Sequence, residues 1–109
     1  MFDFITIGSA TIDAFVESEA ADIVSVSTKK TSTEFMAFPY GAKVEIDSFR
    51  TAVGGGGLNA AANLANLGFN TSAIFKIGED FQGKTIKHKV KLAHVDTPNI
   101  IESLSLIHI

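Results

Sequence analysis

The sequence predicts an α/β fold, and three observations carry that prediction. Short apolar runs end in glycine at Phe2–Ile7 and Thr71–Ile77. Each is the length of a strand, and near-continuous apolar character suits strands buried on both faces of a parallel sheet. Two helical patterns alternate with these runs, at 58–67 and 81–93. Strand, excursion, helix, strand, helix is the order of a sheet built with right-handed crossovers.

The first run, Phe2–Ile7, stops at Gly8 and is followed by Asp13. From about Ala20 to Phe49 the character changes to a small strand-rich excursion off the main sheet. Ile23–Ser27 belongs to it. In Lys43–Phe49, Val44 and Ile46 alternate with Lys43, Glu45 and Asp47, the period-two pattern of a half-exposed antiparallel strand, and Pro39-Tyr40-Gly41 before it is turn chemistry.

Gly54-Gly55-Gly56-Gly57 precedes the alanine-rich stretch Leu58–Leu67, with Gly68 as a helix stop. The glycines place bare backbone at a helix N-terminus, where unpaired N–H groups and the positive end of the dipole face outward. Asn59 lies in the first turn. Its amide both donates and accepts, as sugar hydroxyls do. Asn59, Asn63 and Asn66 form an i, i+4, i+7 stripe. The same residues also fit a flexible turn followed by solvated asparagines, and spacing alone leaves both readings open.

Thr71–Ile77 ends at Gly78. Asp80 is placed to cap the next helix, with Ile86, Val90 and Ala93 on its apolar face and Lys84, Lys87 and Lys91 on another.

The chain is 109 residues long, enough for one domain, and 46% of it is hydrophobic against 19% charged. Mean hydropathy is +0.26, yet no uninterrupted apolar stretch approaches the roughly 20 residues of a spanning helix. No basic segment precedes the first apolar run, so it does not read as a secretory signal. The absence of cysteine removes disulfides and thiolate metal sites and agrees with a cytoplasmic protein. A net charge of -3 gives no reason to expect nucleic acid, and nothing points to a membrane. His88, His94 and His108 share no metal-ligand spacing, so no metal site is assigned.

Two motifs compete with a sugar reading of the glycine run. Gly78-Glu79-Asp80-Phe81-Gln82-Gly83-Lys84-Thr85 satisfies the P-loop pattern between a strand and a helix. However, Glu79 and Asp80 would put two negative charges into an anion cradle, and the segment also fits a helix start capped by Asp80. Gly55-Gly56-Gly57-Leu58-Asn59-Ala60 fits the dinucleotide fingerprint, but Asp47–Val53 makes a poor buried first strand before it.

The residues from Gly54 to Gly68 resemble the first signature of the PfkB, or ribokinase-like, carbohydrate kinases: GG-x-G-x-N, then a small-residue helix ending in Leu-Gly. Three further pieces keep that family's order. Gly8 is followed by Asp13, Gly78-Glu79-Asp80-Phe81-Gln82-Gly83 matches G-x-D-x-x-G, and Val95-Asp96-Thr97 follows the next helix. The resemblance runs nearly from the start to about Ile101. It implies the N-terminal part of a ribokinase-like, Rossmann-like three-layer sandwich, with residues 20–49 as a small β lid through which two copies pair as a homodimer.

By the same resemblance, Asp13, Gly55, Gly56 and Asn59 bind a sugar. Ribokinase carries a lysine where this chain has Gly56, which implies a different hydroxyl pattern or a larger substrate. The family moves the γ-phosphoryl of ATP, with Mg²⁺, to a sugar hydroxyl, using an aspartate in a later Gly-x-Gly-Asp motif. That motif is absent here, so no catalytic residue and no ATP site is assigned, and this polypeptide alone is expected to be inactive as a kinase: it is either part of an enzyme acting on a sugar or nucleoside-like hydroxyl compound or a non-catalytic sugar-binding module. The segment Ser103–Ile109 lacks the Thr-Gly pair expected next in the family. Its alternation fits a strand, and it equally fits a foreign tail.

Overall fold

In the computed structural model, which describes residues 1–104, the first apolar run forms β1 (Phe4–Ile7). It pairs in parallel with β6 (Thr71–Ile74) in the register Phe4↔Thr71 to Ile7↔Ile74. β2 (Thr11–Glu17) pairs with β5 (Ser48–Gly54), and β3 (Asp22–Ser27) with β4 (Ser32–Ala37). Helix α1 spans Gly56–Asn66. β7 (Lys76–Gly78), α2 (Phe81–Leu92) and β8 (Ile101–Ser103) follow. β7 and β8 are parallel, with Lys76 opposite Ile101. Parallel strands joined through helices establish the α/β class.

The chain divides into two compact units, residues 1–13 with 52–109 and residues 14–51. In the first, α1 packs on β1 and β6, and α2 on β7. Leu58 and Ala61 of α1, Ala73, Phe75 and Ile77 of the second strand run, Ile86 and Val90 of α2, and Val95 form its buried core. Each buried Leu, Ile or Val contributes about 1.5–3 kcal/mol of transfer free energy. The 3.6-residue period explains the membership. Leu58, Ala61 and Ala65 share one side of α1, leaving Asn59, Asn63 and Asn66 exposed. The Asp80 carboxylate caps α2 by accepting from the Gly83 N–H at 2.8 Å, and Gly68, at φ 98°, follows α1 as the sequence predicts.

The 14–51 unit is built on the antiparallel β3–β4 ladder, which runs from Asp22↔Ala37 to Ser27↔Ser32. Its turn is closed by the Thr28 N–H donating to Thr31 O at 2.7 Å. Ile23, Val24, Phe35 and Met36 all remain exposed. The guanidinium of Arg50 lies 4.8 Å from the ring centre of Phe15.

Three expectations change. β1 is not buried on both faces: Ile5 and Ile7 are 52% and 79% exposed, because α1 covers only the side of the strand that carries Thr6. Residues 43–46 lack strand pairing, and β5 begins at Ser48. Alternation along a segment gives no ladder until a partner strand lies beside it. The run Thr71–Ile77 is two strands split at Phe75, since β6 pairs with β1 while β7 pairs with β8. Of the segment 103–109, Ser103 ends β8, and residues 105–109 lie outside the described residues.

Candidate sugar site

The site is built where β1 ends, where β2 begins and where α1 starts. Thr6 and Ser9 fasten the start of α1. The Thr6 hydroxyl donates to Gly57 O at 2.8 Å. Ser9 Oγ accepts from the Gly56 N–H at 3.2 Å, and Ser9 O accepts from the Leu58 N–H at 3.1 Å. Two of the amides that the sequence leaves bare at this helix end are therefore taken by Ser9. This corrects the picture of an open row of donors: the four orphan N–H groups of a helix start are satisfied wherever a neighbouring acceptor reaches them. The Asn59 N–H already closes the first turn on Gly55 O at 2.8 Å.

The signature glycines are not equivalent. Gly55, the N-cap, has φ 98° and ψ 144°, and a Cβ there would stand 2.5 Å from Ser9 O. Gly57 is pressed against the backbone of Gly8. A Cβ on Gly54 would stand 2.6 Å from Asp13 Oδ2. At Gly56, by contrast, an added Cβ meets nothing within 4 Å. Internal packing requires glycine at positions 55 and 57, where the neighbours are backbone, whereas at 54 only the end of the Asp13 side chain stands close and position 56 is open to whatever lies outside the helix.

Asp13 lies in β2 rather than in a loop, two residues after Thr11, whose hydroxyl donates to Asp13 Oδ1 at 3.2 Å. Through Gly54, its carboxylate adjoins the glycine run that leads into Gly55, Gly56 and Asn59. Asn59 is exposed in the first turn of α1. The asparagine stripe does not act as one surface, because Asn63 and Asn66 line a separate groove of about 650 Å³ with His94 near the end of α2. Ser9, Thr11 and Gly54 were not found from the sequence. Gly54 alone left a trace there, as the first glycine of the run.

The P-loop-like segment folds as a capped helix start. The Gly83 N–H, which a phosphate would need, is held by the Asp80 carboxylate. With Thr11 and Gln82, Asp80 borders a cavity of about 290 Å³. Among the described residues there is no cluster of three metal-ligating side chains, and no helix is long and apolar enough to cross a membrane.

Comparison with known proteins bears on the family. A family model described as "pfkB family carbohydrate kinase" matches residues 9–103. The chain is 35% identical over 69 residues to a 2-dehydro-3-deoxygluconokinase of Bacillus subtilis, a match covering 63% of this chain and 21% of that protein. A ribokinase of Arabidopsis thaliana, solved with ribose and ATP, superimposes with a TM-score of 0.73 at 25% identity, over 93% of this chain and 28% of that one. A carbohydrate kinase from Agrobacterium tumefaciens gives 0.68 at 28% identity, over 96% and 28%. The chain thus spans under a third of the length of these relatives.

Proposed function

Because the chain belongs to the pfkB family of carbohydrate kinases, we propose that it is the sugar-binding part of an ATP-dependent kinase that phosphorylates a hydroxyl of a sugar or sugar acid. The observation that carries this reading is the placement of the Asp13 carboxylate against Gly54, two residues before the open position at Gly56. Asp13 accepts hydrogen bonds from sugar hydroxyls. Gly56 lets the sugar approach the main chain, Gly55 lines the same pocket with its backbone, and the Asn59 amide donates to or accepts from a further hydroxyl. Such binding contributes orientation, which together with electrostatic stabilisation makes up nearly all of catalysis in phosphoryl transfer.

ATP with Mg²⁺ supplies the phosphoryl group and its charge neutralisation in this reading. The described residues do not fit that role, since the Gly83 N–H is already bonded to Asp80 and no acidic cluster is present among them. The base and the nucleotide site therefore belong to other residues of the kinase, and these 109 residues alone transfer no phosphate. The relative's substrate, 2-dehydro-3-deoxygluconate, and ribose are the first ligands to test. A cytoplasmic location and a homodimer formed through the 14–51 unit complete the proposal. The exposed Ile23, Val24, Phe35 and Met36 of that unit support the dimer.

Titration of the isotopically labelled chain with each sugar, followed by amide chemical shifts, tests the reading. Shifts confined to Asp13, Gly55, Gly56 and Asn59, abolished by Asp13→Ala, are expected. No response at these four residues would remove them from the site. Phosphate transfer from ATP by the purified chain would refute its inactivity.

A further inference from the structure

Thr11 and Asp13 are two residues apart on β2, so both side chains leave the strand on one face. The Thr11 hydroxyl donates to one carboxylate oxygen, Oδ1, at 3.2 Å. The other oxygen, Oδ2, is seated over Gly54, where a methyl group would stand only 2.6 Å away. Gly54 is a strand residue and is absent from the positive-φ glycines. Its backbone would therefore accept alanine, and it is the Asp13 carboxylate that would have to move aside for a side chain there. An aspartate on an exposed strand is otherwise free to sample several staggered rotamers, and fixing one on binding would weaken affinity. Thr11 is β-branched and stiff about its first torsion, which makes its hydroxyl a fixed donor.

We infer that Thr11 and Gly54 are positioning residues: the Thr11 hydroxyl anchors the Asp13 carboxylate in one orientation before a sugar arrives, and Gly54 leaves the room that orientation needs. The inference rests on the sugar reading above and adds a direction to it. With one lone pair of Oδ1 engaged by Thr11, the remaining acceptor sites of the carboxylate face incoming hydroxyl donors. A negative group on the substrate is repelled from this end. A sugar acid therefore binds with its hydroxyls toward Asp13 and its own carboxylate away from it.

The test uses Thr11→Val, Thr11→Ser and Gly54→Ala in the whole 109-residue chain, each checked by circular dichroism for an unchanged fold. Two readouts are compared: the vicinal Hα–Hβ couplings of Asp13, and affinity for 2-dehydro-3-deoxygluconate and ribose. The wild type shows couplings of a single rotamer. Thr11→Val and Gly54→Ala show averaged couplings and bind sugar about 3- to 10-fold more weakly, the loss of one modest hydrogen bond. Thr11→Ser restores both. Averaged couplings in the wild type, or single-rotamer couplings in Thr11→Val, overturn the inference whatever the sugar data show. Asp13→Ala separates the two ideas. If it leaves sugar binding intact the sugar reading falls, and the couplings still decide whether Thr11 and Gly54 position the carboxylate.

Discussion

Gly8 and Gly57 meet backbone to backbone: a Cβ added to either would stand 2.9 Å from main-chain atoms of the other. The end of β1 and the first turn of α1 approach closely enough for Thr6 to reach Gly57 O and for Ser9 to reach two helix amides. Asn59, two residues further along the same turn, takes its place from this contact. Gly57→Ala should therefore destabilise the chain by about 1–3 kcal/mol through overpacking. The check is a urea denaturation midpoint lowered at constant slope. An unchanged midpoint would mean that the two segments separate without penalty.

Gly56→Ala should act with the opposite sign on stability. Its Cβ meets nothing within 4 Å, and replacing glycine by alanine in a helix stabilises by about 0.5–1 kcal/mol. If a sugar packs on this position, the same variant binds it more weakly. A higher midpoint together with lower affinity is the expected pair of results. A higher midpoint with unchanged affinity would place the sugar elsewhere.

Asn59→Ala should weaken sugar binding by about 1–3 kcal/mol while leaving the denaturation midpoint almost unmoved. The side chain is exposed at the start of α1 and takes no part in the core. Calorimetric titration and urea melts of the same preparation measure both quantities. A drop in stability without a drop in affinity would assign Asn59 a structural role.

Asp80→Ala should cost about 1 kcal/mol of stability, the usual value of an N-cap, because the Gly83 N–H loses its acceptor. Lys84→Ala should leave ATP affinity unchanged. A P-loop would require this lysine on the phosphates, so loss of nucleotide binding in that variant would revive the nucleotide reading of Gly78–Thr85.

Local features were legible in the sequence because local chemistry sets them. Asp80 caps its helix through a partner three residues away, and Ile86 and Val90 fall inward by helical period alone. Asp13, Gly55, Gly56 and Asn59 were nominated by a motif whose pieces lie within short spans. β2 was less visible. Ile12, Ala14 and Val16 do alternate along it, but Phe15 falls on the polar face and masks the period. Residues 43–46 erred the other way, with good alternation and no partner strand.

By itself, the sequence determined the α/β order of elements and the apolar faces of both helices, while the four candidate residues came from resemblance to a family signature. The order and the faces rest on contacts within a few residues, where spacing is geometry. Tertiary structure alone decided which glycines packing requires and which one is open, that Ser9 occupies amides the glycine run leaves bare, and that Thr11 and Gly54 flank the Asp13 carboxylate. Apart from the Thr11–Asp13 bond within β2, those relationships join backbone segments about 40 to 50 residues apart, and a contact across a closed loop follows from how strands pair and helices pack, which one-dimensional spacing does not encode.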